Sequence, residues 1–269
     1  MNRRHLLLSL VPASLMAPAI AQQRRSLADP LRLGVDTVLF DSGLARALQL
    51  GFGRDTGIAV KLVSAPALPL LEALERGEFD VALTNAPEAE QRLEQQGLAH
   101  DRRKVASGDF LLVGPAPRGR DKDPASVAGL RDVAEALIQV RGAALAYPGT
   151  VEFLSAADGS GTHAIEQMLW RRARLGPTSP WHRPADASPG LIAQARVRGA
   201  YALVERGAWA AQGGAPLAVL VEGDPALAEA VHVMRSFRVS HPAAKIFVGW
   251  IAGQKGKRVV AAQRSYRVG

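Results

Sequence analysis

From residue 31 onward, short apolar runs of strand length alternate with segments of helical periodicity, and this order restricts the chain to α/β architectures. Leu31, Leu33 and Val35 alternate as a strand, and after Ser42-Gly43 the residues Leu44, Leu48 and Phe52 recur at helical spacing. A turn at Asp55-Thr56-Gly57 leads to a second strand through Ile58, Val60 and Leu62. Pro69 opens a helix bearing Leu70, Leu71 and Leu74, and Gly77 ends it. Residues 79–84 form the next strand, residues 86–96 a helix with Pro87 and two glutamates in its first turn, and residues 109–114 a buried strand.

The second half repeats this grammar. The polar run 118–125 reads as a surface loop near the passage into a second lobe, and residues 128–140 read as a helix. Residues 152–155 end a strand that runs into Asp158-Gly159-Ser160-Gly161-Thr162 and a helix carrying Ile165, Met168 and Leu169. A helix before Gly199 and strands over 200–204 and 217–221 follow, the last two placed to return the chain to the first lobe. The loop 176–190 is rich in proline and serine, which suits a lobe connection or a surface excursion.

Composition removes several classes of chemistry. Cysteine is absent, so disulfides, thiolate nucleophiles and Cys-based metal sites are excluded. The net charge is +8, which attracts anions in general. Lysine and arginine are spread from Arg32 to Arg267 and aromatics make up only 5%, a pattern unlike a nucleic-acid binder. Arg102-Arg103-Lys104 and Arg171-Arg172 read as solvated helix or loop faces.

Residues 1–21 read as an export leader. Arg3 and Arg4 precede an apolar stretch over 6–20, and Ala19-Ile20-Ala21 is a small-x-small cleavage site. The stretch is short and broken by Pro12 and Pro18, unlike a membrane span of roughly 30 Å. Asn2-Arg3-Arg4-His5-Leu6-Leu7 also resembles a twin-arginine signal. The mature protein is expected in the periplasm.

One device occurs twice: a strand enters a loop of small residues that opens a helix, at Ser42-Gly43 and at Ser160-Gly161-Thr162. Free N–H groups at such helix starts bind anions, with Ser and Thr hydroxyls as added donors. Taken alone, each loop reads first as an ordinary cap contributing about 1 kcal/mol and only second as a site. His163 and Glu166 lie three positions apart, too few ligands for a catalytic metal. Ser160 lacks the G-x-S-x-G frame of a nucleophile elbow, and no dinucleotide or phosphate-loop motif is present. Asp80, Asp109 and Glu205 near strand ends read as turn, cap or hinge residues.

Asp41-Ser42-Gly43-Leu44, Gly77-Glu78-Phe79-Asp80-Val81, Ala86-Pro87-Glu88-Ala89-Glu90 and Asp158-Gly159-Ser160-Gly161-Thr162-His163, in this order, carry a resemblance to the tungstate-binding proteins of ABC transporters, a branch of the type II periplasmic binding proteins. Residues 109–115 and 200–207 add to it. The departures fall where that family binds its oxyanion. Val35-Asp36-Thr37-Val38-Leu39 stands for T-T-T-S-T, Pro66-Ala67-Leu68 for G-T-G, and Asp186-Ala187-Ser188-Pro189-Gly190 for G-Q-G-M-G. Ser155-Ala156-Ala157-Asp158 lacks the family's arginine, a planar donor fork suited to oxyanions.

The resemblance implies a two-lobed type II periplasmic binding fold with a ligand cleft between the lobes, lobe I over 30–113 and 216–269 and lobe II over 114–215. It implies a non-enzymatic, cofactor-free monomer that captures a small anion or polar solute by closure and delivers it to an ABC transporter permease. Thr37, Ser42, Ser160, Gly161 and Thr162 are the expected ligand contacts. Weak tungstate and molybdate binding is expected from the missing donors. A sensory or partner-binding protein on the same fold, and a hydrolase using Ser160, are the alternatives.

Overall fold

The computed structural model describes residues 25–117, 123–178 and 180–269. The expected leader and residues 118–122 of the expected surface loop lie outside them. β1 (Leu31–Asp36) runs parallel between β2 (Val60–Ala65) and β3 (Val81–Thr84), with Leu33 opposite both Leu62 and Val81. Its near-continuous burial is what a parallel strand covered on both faces requires. Where a loop was expected after β1, the chain first makes a short helix, α1 (Thr37–Asp41), because the Asp36 side chain accepts the Val38 N–H.

α2 (Leu44–Thr56) lays Leu44, Leu48 and Phe52 on the sheet. There Phe52 meets Phe247 edge-on, ring centres 5.0 Å apart, from α9 (Pro242–Ala252). Burying one such ring contributes roughly 1.5–3 kcal/mol. α3 (Ala67–Glu75) and α4 (Pro87–Gln95) pack Leu70, Leu74 and Leu93 beside Met234 of β9 (Ala228–Ser236).

β4 (Ala99–Pro115) is far longer than the 109–114 strand expected. It absorbs Arg102-Arg103-Lys104, so this run lies on a strand and not on a helix or loop: Arg103 and Lys104 are exposed as expected, but Arg102 is only 18% exposed and pairs at 3.0 Å with the buried carboxylate of Glu90. Charged residues of opposite sign hide the strand's alternation, Arg235 binding Asp101 at 2.6 Å beside it. Arg171 and Arg172 are exposed, as expected.

β4 pairs antiparallel with β9 through its first part and with β7 (Tyr201–Glu205) and β8 (Leu217–Val221) through its last. The sheet order is β2-β1-β3-β9-β4-β7-β5-β6, with β5 (Phe153–Ser155) and β6 (His182–Pro184) at the far end and both pairs β5–β6 and β5–β7 parallel. α5 (Val133–Ala146) starts later than expected, because Asp123 Oδ2 accepts the Val127 and Ala128 N–H groups at 2.6 and 2.8 Å and holds this stretch as a loop. Asp132 then caps the helix.

α6 (Gly161–Arg172), α7 (Leu191–Arg198) and α8 (Arg206–Gln212) complete the middle of the chain. α10 (Gln254–Ala261) and β10 (Arg267–Val268), the latter paired with β4, finish it. One group of core side chains joins Leu31, Phe52, Val105, Phe247 and Tyr266. Another joins Phe110, Phe153, Trp170, Tyr201 and Val221, so β8 packs with the middle of the chain. The cleft lies between the first group and a third, which joins Leu111, Ile192, Val204 and Ala208.

Candidate functional site: the cleft between two helix starts

β1 ends at Asp36, and its carboxyl group reaches the start of α6 from the other side of the molecule. Oδ1 accepts the Val38 N–H at 3.0 Å and Oδ2 accepts the Gly161 N–H at 3.1 Å. Asp36 is fully buried. Burial pushes its pKa up to about 7; the Val38 and Gly161 N–H groups pull the other way, and Asp158 pushes with burial. A second link crosses the cleft, the Leu68 N–H donating to the Gly159 carbonyl at 2.9 Å.

The loop before α6 is ordered by its own side chains. Ser160 Oγ accepts the His163 N–H at 3.3 Å, Asp158 Oδ1 accepts the Ser160 N–H at 2.9 Å, and the Gly159 N–H donates to His163 Nδ1 at 3.2 Å. Gly161 must be glycine for a reason outside this loop: a Cβ there would lie 1.8 Å from Asn85 Oδ1. Thr162 Oγ1 is buried and has no hydrogen-bond partner.

A cavity of about 610 Å³ opens beside these groups, lined by Thr37, Pro66, Ser160, Thr162 and the 185–192 segment among others. Asp41, Asp158, Asp186 and Glu205 line it, and among the described residues no lysine, arginine or histidine does. Glu205 caps α8, accepting the Gly207 and Ala208 N–H groups at 2.6 Å each, while burial raises its pKa to about 7.

Of the five expected contacts, Thr37, Ser160 and Thr162 line this cavity. Gly161 gives its N–H to Asp36. Ser42 is turned elsewhere: its Oγ accepts the Tyr266 O–H at 2.9 Å and the Leu44 N–H at 3.3 Å, and donates to the Leu39 carbonyl at 3.0 Å.

Residues considered for other chemistry have structural partners. Glu166 binds Ser155, Trp170 and His182, and His163 faces Gln167. Asp80 pairs with Arg32, and Asp109 with Arg206. Among the described residues no group of three His, Asp or Glu side chains could hold a metal ion.

Sequence reasoning missed the partner of Asp36. The carboxylate stood out at a hydroxyl position, but the Gly161 N–H it accepts lies 125 residues away. It also missed Asn85, which donates to Glu229 Oε1 at 2.6 Å while burial and Glu205 hold Glu229 protonated well above the usual carboxylate range.

A sheet continuous through β4, separate core groups toward its two ends and a cleft bridged from both sides define a solute-binding protein of the two-lobed type II periplasmic class. The chain belongs to the PBP superfamily, whose domain model matches residues 22–254. It is 29% identical over 243 residues to a Haloferax volcanii protein named as an ABC transporter anion-binding protein, covering 86% of this chain and 68% of that one. It is 28% identical over 237 residues to a tungstate-binding protein of Peptoclostridium acidaminophilum, covering 85% and 79%. The structure of the tungstate ABC transporter protein from Geobacter sulfurreducens superposes with a TM-score of 0.74 at 28% identity, over 87% of this chain and 98% of that one.

Proposed function

We propose that this protein is the exported solute-binding component of an ABC uptake system, which captures a small polar solute or anion by lobe closure and presents it to a permease. The observation that carries this reading is the cleft of about 610 Å³, bridged by Asp36 to Gly161 and by Leu68 to Gly159. Groups from both sides reach one point, so a closed state gains contacts that an open state lacks. The relatives named for anion and tungstate binding support the transport role.

Lobe I is assigned to 30–113 and 216–269 and lobe II to 114–215, with the core groups drawing β8 toward lobe II. Thr37, Ser160, Gly161 and Thr162 are the proposed solute contacts, with Ser42 in a supporting place behind them. The protein acts as a monomer without a cofactor. Residues 1–21 act as the leader, and the family match begins directly after them. Intact-mass analysis of periplasmic protein is expected to show the loss of these residues, and an unprocessed cytoplasmic product would overturn the export assignment.

The functional test is a calorimetric screen of protein lacking residues 1–21 against oxyanions, amino acids and organic acids. Saturable binding of one class at one site per chain is expected. Failure of every class to bind would sink the uptake reading.

A further inference from the structure

The relatives that this chain resembles are named for anions, yet the two backbone N–H donors that meet at its cleft are already engaged. Backbone N–H groups from both sides of the cleft, those of Val38 and Gly161, converge on one carboxyl group, with a smaller contribution from the Ala67 backbone. Convergent N–H groups of this kind, one of them the first of a twelve-residue helix, make an anion-binding nest. The group in the nest is the side chain of Asp36, fully buried and joined to both halves of the molecule.

Two independent features agree with a nest that is filled from within. The cavity beside it is lined by four carboxylates, Asp41, Asp158, Asp186 and Glu205, and by no lysine, arginine or histidine among the described residues. A second anion would therefore enter a field of its own sign, with no cation to offset desolvation. On the same wall, Thr162 Oγ1 is buried without a partner, an acceptor and donor left for a solute.

We infer that Asp36 is a tethered anion: its carboxylate takes the N–H donors that a free oxyanion would need, and the cleft selects solutes that carry hydrogen-bond donors and no net negative charge. The inference deepens the solute-capture reading and rests on it. Asp36 is thus the specificity-determining residue. It draws the start of α6 toward β1 by the electrostatics an oxyanion would use, and it charges the site against oxyanions at the same time.

The test compares wild type with Asp36→Ser and Asp36→Gly at pH 8, where the wild-type carboxyl group is ionised. Each is titrated with tungstate by calorimetry and with formate by thermal shift. Wild type is expected to show no saturable tungstate binding and no formate response. Asp36→Ser is expected to bind tungstate at least about tenfold tighter than wild type, since charge-assisted donors are freed. Formate is expected to raise the melting temperature of Asp36→Gly by refilling the nest.

Tungstate binding by wild type as tight as by Asp36→Ser would overturn the inference, as would folded variants that respond to neither anion. If the variants do not fold, wild-type solution scattering decides: a radius of gyration that contracts on adding tungstate overturns the inference, and one that stays constant supports it. The two readings fail separately. Variants that gain tungstate while wild type binds no solute of any class would uphold the tethered anion and discard uptake; tight wild-type tungstate binding would do the reverse.

Discussion

The loops at the starts of α2 and α6 carry the same local signature of small residues and hydroxyls, yet they do different work. Ser160 caps α6, and the helix start behind it faces Asp36 across the cleft. Ser42 gives α2 no such cap in the helix-start sense: Gly43 precedes the helix with φ of 83°, and the Ser42 hydroxyl is held by Tyr266 near the chain's end. A helix start becomes a site through what the fold brings opposite it, which its own sequence does not encode.

The largest effect expected from this contrast is in the pH dependence. The pKa of Asp36 is raised from 3.8 to about 7, so between these values the folded state holds a proton that the unfolded state has released. Stability is therefore full below about pH 4, falls as pH rises toward 7, and levels off above it. The shift amounts to something on the order of 4 kcal/mol at 1.36 kcal/mol per unit. Denaturation of wild type and Asp36→Asn across this window should show a steeper decline for wild type, with Glu205 contributing equally to both. Parallel profiles would mean that Asp36 is not titrating in this range.

Next in size is a pair of alanine substitutions. Gly161→Ala places a Cβ 1.8 Å from Asn85 Oδ1 and should lower stability by about 3 kcal/mol while also weakening solute binding. Gly43→Ala meets nothing within 4 Å and bears only the left-handed backbone penalty, about 1 kcal/mol, with solute affinity unchanged. Urea titrations with matched affinity measurements check both, and equal losses of affinity would erase the distinction between the loops.

Smaller still are the hydroxyl deletions around the loops. Tyr266→Phe removes the bond to Ser42 and Ser160→Ala removes a cap; each should lower stability by about 1 kcal/mol in thermal melts. Only the second should alter binding in the cleft. Thr162→Val should be the mildest for stability, within about 0.5 kcal/mol, because the hydroxyl it removes has no partner. Its solute affinity should nonetheless fall, and unchanged affinity would remove Thr162 from the site.

Much of the fold was legible because it is locally determined. The helix start at Ser160, the stop at Gly57 and the bounds of β8 follow from caps, turns and apolar runs that a short window contains. The length of β4 was not legible, since Arg102 is tolerated there only by the buried Glu90 of α4. The cleft was half legible: Thr37, Ser160 and Thr162 line it, but the turning of Ser42 toward Tyr266, 224 positions away, is set by topology.

That Ser42–Tyr266 link also bears on the order in which the molecule can assemble. The core of Leu31 and Phe52 is completed by Phe247, Val260 and Tyr266, whereas the core of Phe110, Trp170 and Tyr201 needs nothing beyond Leu227. During synthesis the core of Phe110, Trp170 and Tyr201 therefore has all its partners before the core of Leu31 and Phe52 does. Residues 31–106 must wait, with apolar surface uncovered, until β9, α9 and α10 emerge, and closure of so long a loop slows the final step. The end of the chain acts as a latch on its beginning.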